Sequence, residues 1–81
     1  MATTADAEAT KMVRSTIGRR YIDSSLLDIR VMHGVVRLTG VIRPLRTHAD
    51  MDLRKEMEVI TTILRQKAGI RDVVWDVSIR A

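Results

Sequence analysis

The stretch LDIRVMHGVVRLTG, from Leu27 to Gly40, decides the fold of this 81-residue chain. His33 and Gly34 are suited to a two-residue hairpin turn, because glycine adopts positive φ freely and histidine tolerates it. With that pair at the tip, Val31 lies opposite Val36. The alternation of side chains then makes one face of the ribbon wholly apolar, and a slip of one residue would expose it. The sequence therefore predicts a half-buried antiparallel hairpin with a fixed register.

The other face of this hairpin is mixed, and it places two arginines opposite each other. The predicted register pairs Arg30 with Arg37, and like charges in this position destabilise a sheet. One interpretation is that Asp28 neutralises both arginines. The other is an anion site for a lipid headgroup or an acidic residue of a partner. Aliphatic side chains on the same face predict a contact surface for a membrane or a protein: Met32, Val35, Val41 and Val74.

Apolar periodicity predicts a helix on each side of the hairpin and a strand at the end of the chain. The first helix is expected over residues 4–21. The second is expected from Thr47 to Ala68, with Gly69 as its left-handed stop. The third strand is expected over Val73 to Arg80, with Trp75 on its core-facing side and an indole N–H that needs a partner.

The predicted order is therefore helix–strand–strand–helix–strand. This order indicates an α+β two-layer sandwich, in which two helices cover one face of a mixed three-stranded sheet. Since the second helix runs back across the sheet, the last strand should run parallel to the second strand. The sequence leaves open whether the last strand lies beside the second strand or the first.

The hairpin also resembles the signature of a known family. The pattern I-x-V-x-x-G-V-V-x-L-T-G, from Ile29 to Gly40, is similar to that of the BON domain, and the step Gly69-Ile70 before a final strand fits the same family. The resemblance covers residues 10–80, and its structural motif would be Gly34, Gly40 and Gly69. It implies the same fold and a non-enzymatic module that associates with membrane phospholipid or docks in a membrane-linked assembly. The sequence departs from the family in a longer segment between Gly40 and Gly69 and in Trp75, which replaces a polar residue.

Composition bounds the class of protein. The length allows one domain, so residues 1–81 are predicted to form a single unit with frayed residues 1–4. A hydrophobic content of 46% with 30% charged residues is typical of a globular domain. The net charge of +4 favours mild attraction to anionic surfaces, although the basic residues are scattered along the chain.

Localisation is predicted only in part. The N-terminal residues lack the apolar segment of a secretory signal, and no window of the sequence has the apolar length of a membrane-spanning helix. The chain as it stands is expected in the cytoplasm. As part of a longer exported protein it would be periplasmic or membrane-associated.

Catalytic residues are not predicted. The chain has no cysteine nucleophile, and its two histidines, His33 and His48, fall at a hairpin tip and a helix start. Neither histidine has a co-ligand at metal-binding spacing. The sequence therefore predicts a protein that is not an enzyme and that has no metal site and no cofactor.

Two further contact surfaces are predicted around the second helix. Arg43 and Arg46 precede its expected N-terminus, where backbone N–H groups and the helix dipole favour an anion. At its expected length, this helix would overhang the sheet at its N-terminal end. Residues 49–63 would then be available for self-association, with a monomer as the alternative. The residues expected at that contact are Ala49, Leu53, Val59 and Ile63.

Together these observations predict a binding module whose partner is another protein or an anionic phospholipid surface. The alternative is a KH-like RNA-binding module, because small α/β sandwiches of that organisation bind RNA. The chain lacks a GxxG loop suited to gripping an RNA backbone, and it has few aromatic residues for base stacking. Nucleic acid is therefore the less favoured partner.

Overall fold

Two α-helices and a four-stranded sheet make up residues 4–80, the part of the chain that this computed structural model describes. The elements are α1 (Thr4–Gly18), β1 (Ile22–Asp23), β2 (Leu27–Met32), β3 (Val35–Pro44), a 3₁₀ turn (Arg46–His48), α2 (Leu53–Arg65) and β4 (Asp72–Ile79). This confirms the predicted α+β sandwich, with one short strand, β1, in addition to the predicted three. The fraying expected at residues 1–4 falls mostly on residues 1–3, which lie outside the described residues.

The hairpin of β2 and β3 has the predicted register. Val31 lies opposite Val36, and the pairing continues without a slip from the hairpin tip to the start of β2. The tip adopts the conformation that its residue types predict, with a φ of 52° at His33 and 80° at Gly34. The apolar face of the ribbon therefore points to the helices and the mixed face points away from them.

The short strand β1, which the sequence did not predict, lies between α1 and β2. Ile22 pairs with Pro44, and Asp23 pairs with Arg43, at the C-terminal end of β3. The chain then turns through Ser25, whose backbone N–H donates to Asp23 Oδ1 at 2.9 Å. Proline is tolerated here because it is the last residue of the strand, where the ladder ends.

Strand β4 completes the sheet on the other side of β3. It runs parallel to β3, as predicted, with Trp75 beside Leu38. The structure thereby answers the question of strand order that the sequence left open. The N–H of Arg71 donates to the carbonyl of Gly34 at 2.7 Å, so the hairpin tip holds the start of β4 in place.

The core lies between the helices and the sheet, and it is aliphatic. Its fully buried side chains are Val13, Ile17, Val36, Leu38, Ile42, Ile60 and Leu64. Trp75 packs at the margin of this core on the predicted side of the sheet. Its indole Nε1 has the partner that burial requires, because it donates to Thr61 Oγ1 at 2.7 Å.

The second helix starts later than the sequence predicted. It begins at Leu53 and not at Thr47, because Asp52 is its N-cap and accepts the backbone N–H groups of Arg54 and Lys55 at 3.1 and 3.3 Å. The preceding 3₁₀ turn is held by a contact distant in sequence. There, the ring of His48 stacks on Tyr21 with 4.3 Å between the ring centroids.

Both helices also end earlier than predicted. α1 stops at Gly18, and α2 stops at Arg65, so that Gly69, with a φ of 85°, lies in the following turn. The 13 residues of α2 span about 20 Å, whereas the eight residues of β4 span about 26 Å. The predicted overhang of the second helix was therefore wrong. Within residues 4–80, neither helix has the length and hydropathy needed to cross a bilayer.

Candidate functional site

The sheet face opposite the helices, called the open face below, carries the side chains predicted for a contact surface. Because side chains alternate along a strand, the odd-numbered residues of β3 and the even-numbered residues of β2 and β4 point to it. A shallow depression lies at its centre. The residues that line this depression are Asp28, Arg30, Met32, Val35, Arg37, Thr39 and Val74.

Arg30 and Arg37 lie directly opposite each other in this depression, as the hairpin register predicted. Asp28 neutralises only one of them, because its Oδ2 accepts a hydrogen bond from Arg30 Nε at 3.1 Å. Arg37 makes no ion pair with any residue from 4 to 80. The two interpretations of the pair therefore apply to different arginines: Arg30 is satisfied within the chain, and Arg37 is available to an anion.

Aliphatic side chains lie on two sides of Arg37. Val74 is its neighbour on β4, and Val35 precedes it on the same face of β3. Val35 is 36% exposed and Met32, opposite Val35 on β2, is 48% exposed. The fourth predicted aliphatic residue, Val41, is half-buried and lies beyond the depression. A guanidinium set among exposed aliphatic groups can bind a carboxylate or phosphate while its surroundings bury an apolar group.

Arg43 shares the open face of β3 but lies at the far end of the strand. Its Nε donates to Asp23 Oδ2 at 2.8 Å, so its charge is already paired. The backbone N–H and the side chain of Ser25 lower the pKa of Asp23 to about 2, and Arg43 adds to this effect. Arg43 therefore supports the turn after β1 and lies outside the central depression.

Arg46 lies in the 3₁₀ turn, away from the other predicted arginines. It is exposed and borders a second depression together with Arg43 and Ala49. The helix start predicted beside these arginines was wrong, because α2 begins at Leu53 and the Asp52 carboxylate caps its first free N–H groups.

The residues predicted for self-association are divided by the structure. Leu53 is only 7% exposed and belongs to the core, and Ala49 lies before the helix. Val59 and Ile63 do share the outer flank of α2, where Val59 is 39% exposed. A continuous contact surface over residues 49–63 is therefore not formed, since its N-terminal half is partly buried and partly outside the helix.

A partly buried ion pair is a feature that sequence reasoning missed. Glu56 is 7% exposed, and one of its carboxylate oxygens accepts a hydrogen bond from Arg20 Nε. This hydrogen bond raises the pKa of the Arg20 guanidinium. The pair joins the end of α1 to α2. A signal was present, because Glu56 falls on the apolar stripe of α2 between Leu53 and Ile60.

Both histidines have structural roles. His33 forms the hairpin turn, and His48 stacks on Tyr21 while its Nδ1 lies 2.9 Å from Thr47 Oγ1. In the described part of the chain, no group of three or more histidine, cysteine, aspartate or glutamate residues is arranged to bind a metal ion.

Comparison with protein-family models, with curated proteins and with solved structures finds no match for this chain. Its function is therefore inferred from the geometry of the open face and from the chemistry of the residues on it.

Proposed function

We propose that this chain is a non-enzymatic binding module that docks another protein on the open face of its sheet. The observation that carries the proposal is Arg37, which makes no ion pair with residues 4–80 and lies beside exposed aliphatic side chains. Its guanidinium would receive a carboxylate of the partner, because the planar fork of arginine fits a carboxylate through two parallel hydrogen bonds. Met32 and Val35 would bury an aliphatic side chain beside that carboxylate.

The distribution of charge favours a protein partner over a membrane. Arg30 and Arg43 are each paired with an aspartate on the open face, and Asp76 of β4 is exposed on the same face. An anionic bilayer attracts clusters of lysine and arginine, and acidic residues among them oppose that attraction. One available guanidinium within the depression, on a surface of mixed charge, suits a single acidic side chain better than an extended sheet of phosphates.

The resemblance of the hairpin to BON domains supports the same broad class, a small module that binds and does not catalyse. That resemblance also implies association with phospholipid. Anionic phospholipid and single-stranded RNA are therefore competing ligands in the test, and each would leave a distinct signature.

The test selects ligands from a displayed library of random linear peptides and measures their affinity by calorimetry. We expect selected peptides that combine aspartate or glutamate with an aliphatic residue. Arg37→Gln should weaken their binding roughly tenfold or more, since a charge-assisted hydrogen bond is worth about 1.5–3 kcal/mol. Arg14→Gln is the matched control: it removes the same charge from an exposed position on α1 and should leave the affinity unchanged.

Two further measurements separate the competing ligands. Vesicles of phosphatidylglycerol and phosphatidylcholine test for lipid, and single-stranded oligonucleotides test for RNA. If the chain sediments with anionic vesicles in low salt and the library yields no binding peptide, the partner is a membrane surface and not a protein. Peptide binding that is insensitive to Arg37→Gln would show that the open face is not the docking site.

A further inference from the structure

Strand β4 is an edge strand without the usual protection against pairing. Within residues 4–80 its only neighbour is β3, and its eight residues keep an unbroken register from Asp72 to Ile79. Edge strands are normally short, bulged, or interrupted by proline or lysine, because a free edge is a template for another strand. β4 has no proline, no lysine and no bulge.

The free edge of β4 exposes a regular set of backbone groups. Arg80 donates its N–H to the carbonyl of Ile42 at 2.9 Å, so the even-numbered residues of β4 direct their backbone groups toward β3. Along a strand, alternate residues direct these groups to opposite sides. The odd-numbered residues Trp75, Val77 and Ile79 therefore present their N–H and C=O groups outward. These groups have no backbone partner among the described residues.

The apolar side of the same edge is incompletely covered. α2 is shorter than β4, so Trp75 and Val77 are only half-buried and Ile79 is 41% exposed. Ile79 borders a depression beside the start of α2, with Met51 and Leu53 among its lining residues. An added strand would satisfy the free backbone groups and cover these side chains together.

We propose that a second copy of this chain pairs along β4, antiparallel, about a two-fold axis at Val77. Two identical strands related by a two-fold axis perpendicular to the sheet are antiparallel, and this symmetry closes the assembly at a dimer. In this register Trp75 lies opposite Ile79 of the second copy, and Val77 lies opposite its own equivalent. Such aromatic and β-branched pairs are the ones that stabilise neighbouring strands.

The apolar pairs and the charges on β4 together favour this register over its neighbours. With the axis at Val77, Asp76 lies opposite Ser78 of the second copy and is diagonal to both Arg80 and Asp76 of that copy, so each carboxylate meets one guanidinium and one carboxylate. Moving the axis to Asp76 would place two carboxylates directly opposite each other. Moving it to Trp75 would leave Ile79 without an apolar neighbour. Moving it to Ser78 would place Asp76 directly opposite Arg80, but it would separate Trp75 from Ile79.

The proposed dimer joins two sheets into one, with all helices on the same side. It is independent of the protein docking proposed above, since it uses the strand edge and not the central depression. It also replaces the α2 flank, with Val59 and Ile63, as the surface for self-association. Mutations can distinguish the edge of β4 from the α2 flank, because the two surfaces lie on different elements.

The test measures the mass of the full chain by sedimentation equilibrium over a range of concentrations. We expect a species of twice 9.2 kDa at the higher concentrations. Asp76→Arg should weaken dimerisation roughly tenfold, because it turns two attractive diagonal pairs into repulsive ones. Arg80→Asp should have a similar effect, and the double variant Asp76→Arg/Arg80→Asp should restore the dimer. Within one strand the two residues are too far apart to pair, so this rescue can arise only between copies.

Val59→Lys on the outer flank of α2 is the matched control, and it should leave the mass unchanged. The fold of every variant is checked by the near-ultraviolet circular dichroism of Trp75. A monomer at all concentrations would overturn the proposal. Loss of the dimer in Val59→Lys, or a failure of the double variant to restore it, would equally place the contact elsewhere.

Discussion

The indole Nε1 of Trp75 donates a hydrogen bond to Thr61 Oγ1 at 2.7 Å, and this contact ties β4 to α2. Thr61 and Trp75 lie in the part of the sheet where α2 covers β4. Because the contact is partly buried, the hydroxyl of Thr61 supplies a partner that water could not fully replace.

Thr61→Val should therefore destabilise the domain by about 1–2 kcal/mol, since it leaves the indole N–H without its partner. Urea denaturation followed by the fluorescence of Trp75 measures this effect. Thr62→Val is the matched control: it is the same change at the next, exposed position of α2, where the hydroxyl bonds only to the backbone carbonyl of Glu58. Equal losses in the two variants would assign the effect to helix propensity and not to the indole.

The ion pair of Arg20 and Glu56 gives a second prediction. Arg20→Met should cost about 2 kcal/mol, because it leaves the Glu56 carboxylate buried without a partner. This is less than for a fully buried pair, since the Arg20 side chain is 28% exposed. The double variant Arg20→Met/Glu56→Leu should recover most of the loss, because no unpaired charge remains. Denaturation midpoints of the three proteins test this, and a double variant no more stable than Arg20→Met would contradict it.

Asp23 should make the stability depend on pH in the acid range. Its pKa falls from 3.8 to about 2 in the folded chain, so its contribution is present above 3.8 and is lost as the pH falls toward 2. Asp23→Asn keeps an oxygen for the Ser25 N–H but removes the charge. As the pH falls from 3.8 to about 2, the thermal midpoint of this variant should therefore fall less than that of the parent chain. A thermal midpoint of Asp23→Asn that falls as steeply as that of the parent chain would contradict this prediction.

Gly40 should be intolerant of any side chain. Its φ is 114°, and a Cβ there would lie 2.2 Å from the carbonyl oxygen of Leu26. Gly40→Ala should therefore cost on the order of 1–3 kcal/mol. Gly18→Ala, at the end of α1 with no atom within 4 Å of the added Cβ, should instead raise stability by about 0.5 kcal/mol. The midpoints of the two variants should move in opposite directions.

The hairpin could be predicted from the sequence because its register depends on neighbouring residues alone. The pairing of Val31 with Val36 follows from the turn residues and the alternation of apolar side chains. The start of α2 could not be predicted in the same way. Thr47 and Asp52 are both residue types that cap a helix, and Asp52 is the cap in the structure. The contact of His48 with Tyr21 holds the 3₁₀ turn before Asp52, and it joins residues distant in sequence.

For the candidate site, the sequence could predict which residues share the open face but not which of them pair with each other. The register placed Arg30 and Arg37 together, but the sequence could not show which of them Asp28 would bind, because it is close to both. Arg43 and Arg46 were predicted with the wrong environment because their position depended on the helix start. Glu56 was overlooked although a carboxylate within an apolar stripe predicts a buried partner.

The position of β3 between strands from different parts of the chain has a kinetic consequence. Hairpins of the kind formed by β2 and β3 close in roughly 1–10 μs, whereas β4 can dock only after α2 has brought the chain back. In that interval one edge of β3 is uncovered beside Val36, Leu38 and Ile42. Refolding at high concentration should therefore lose material to aggregation at this step, and dilution should recover it.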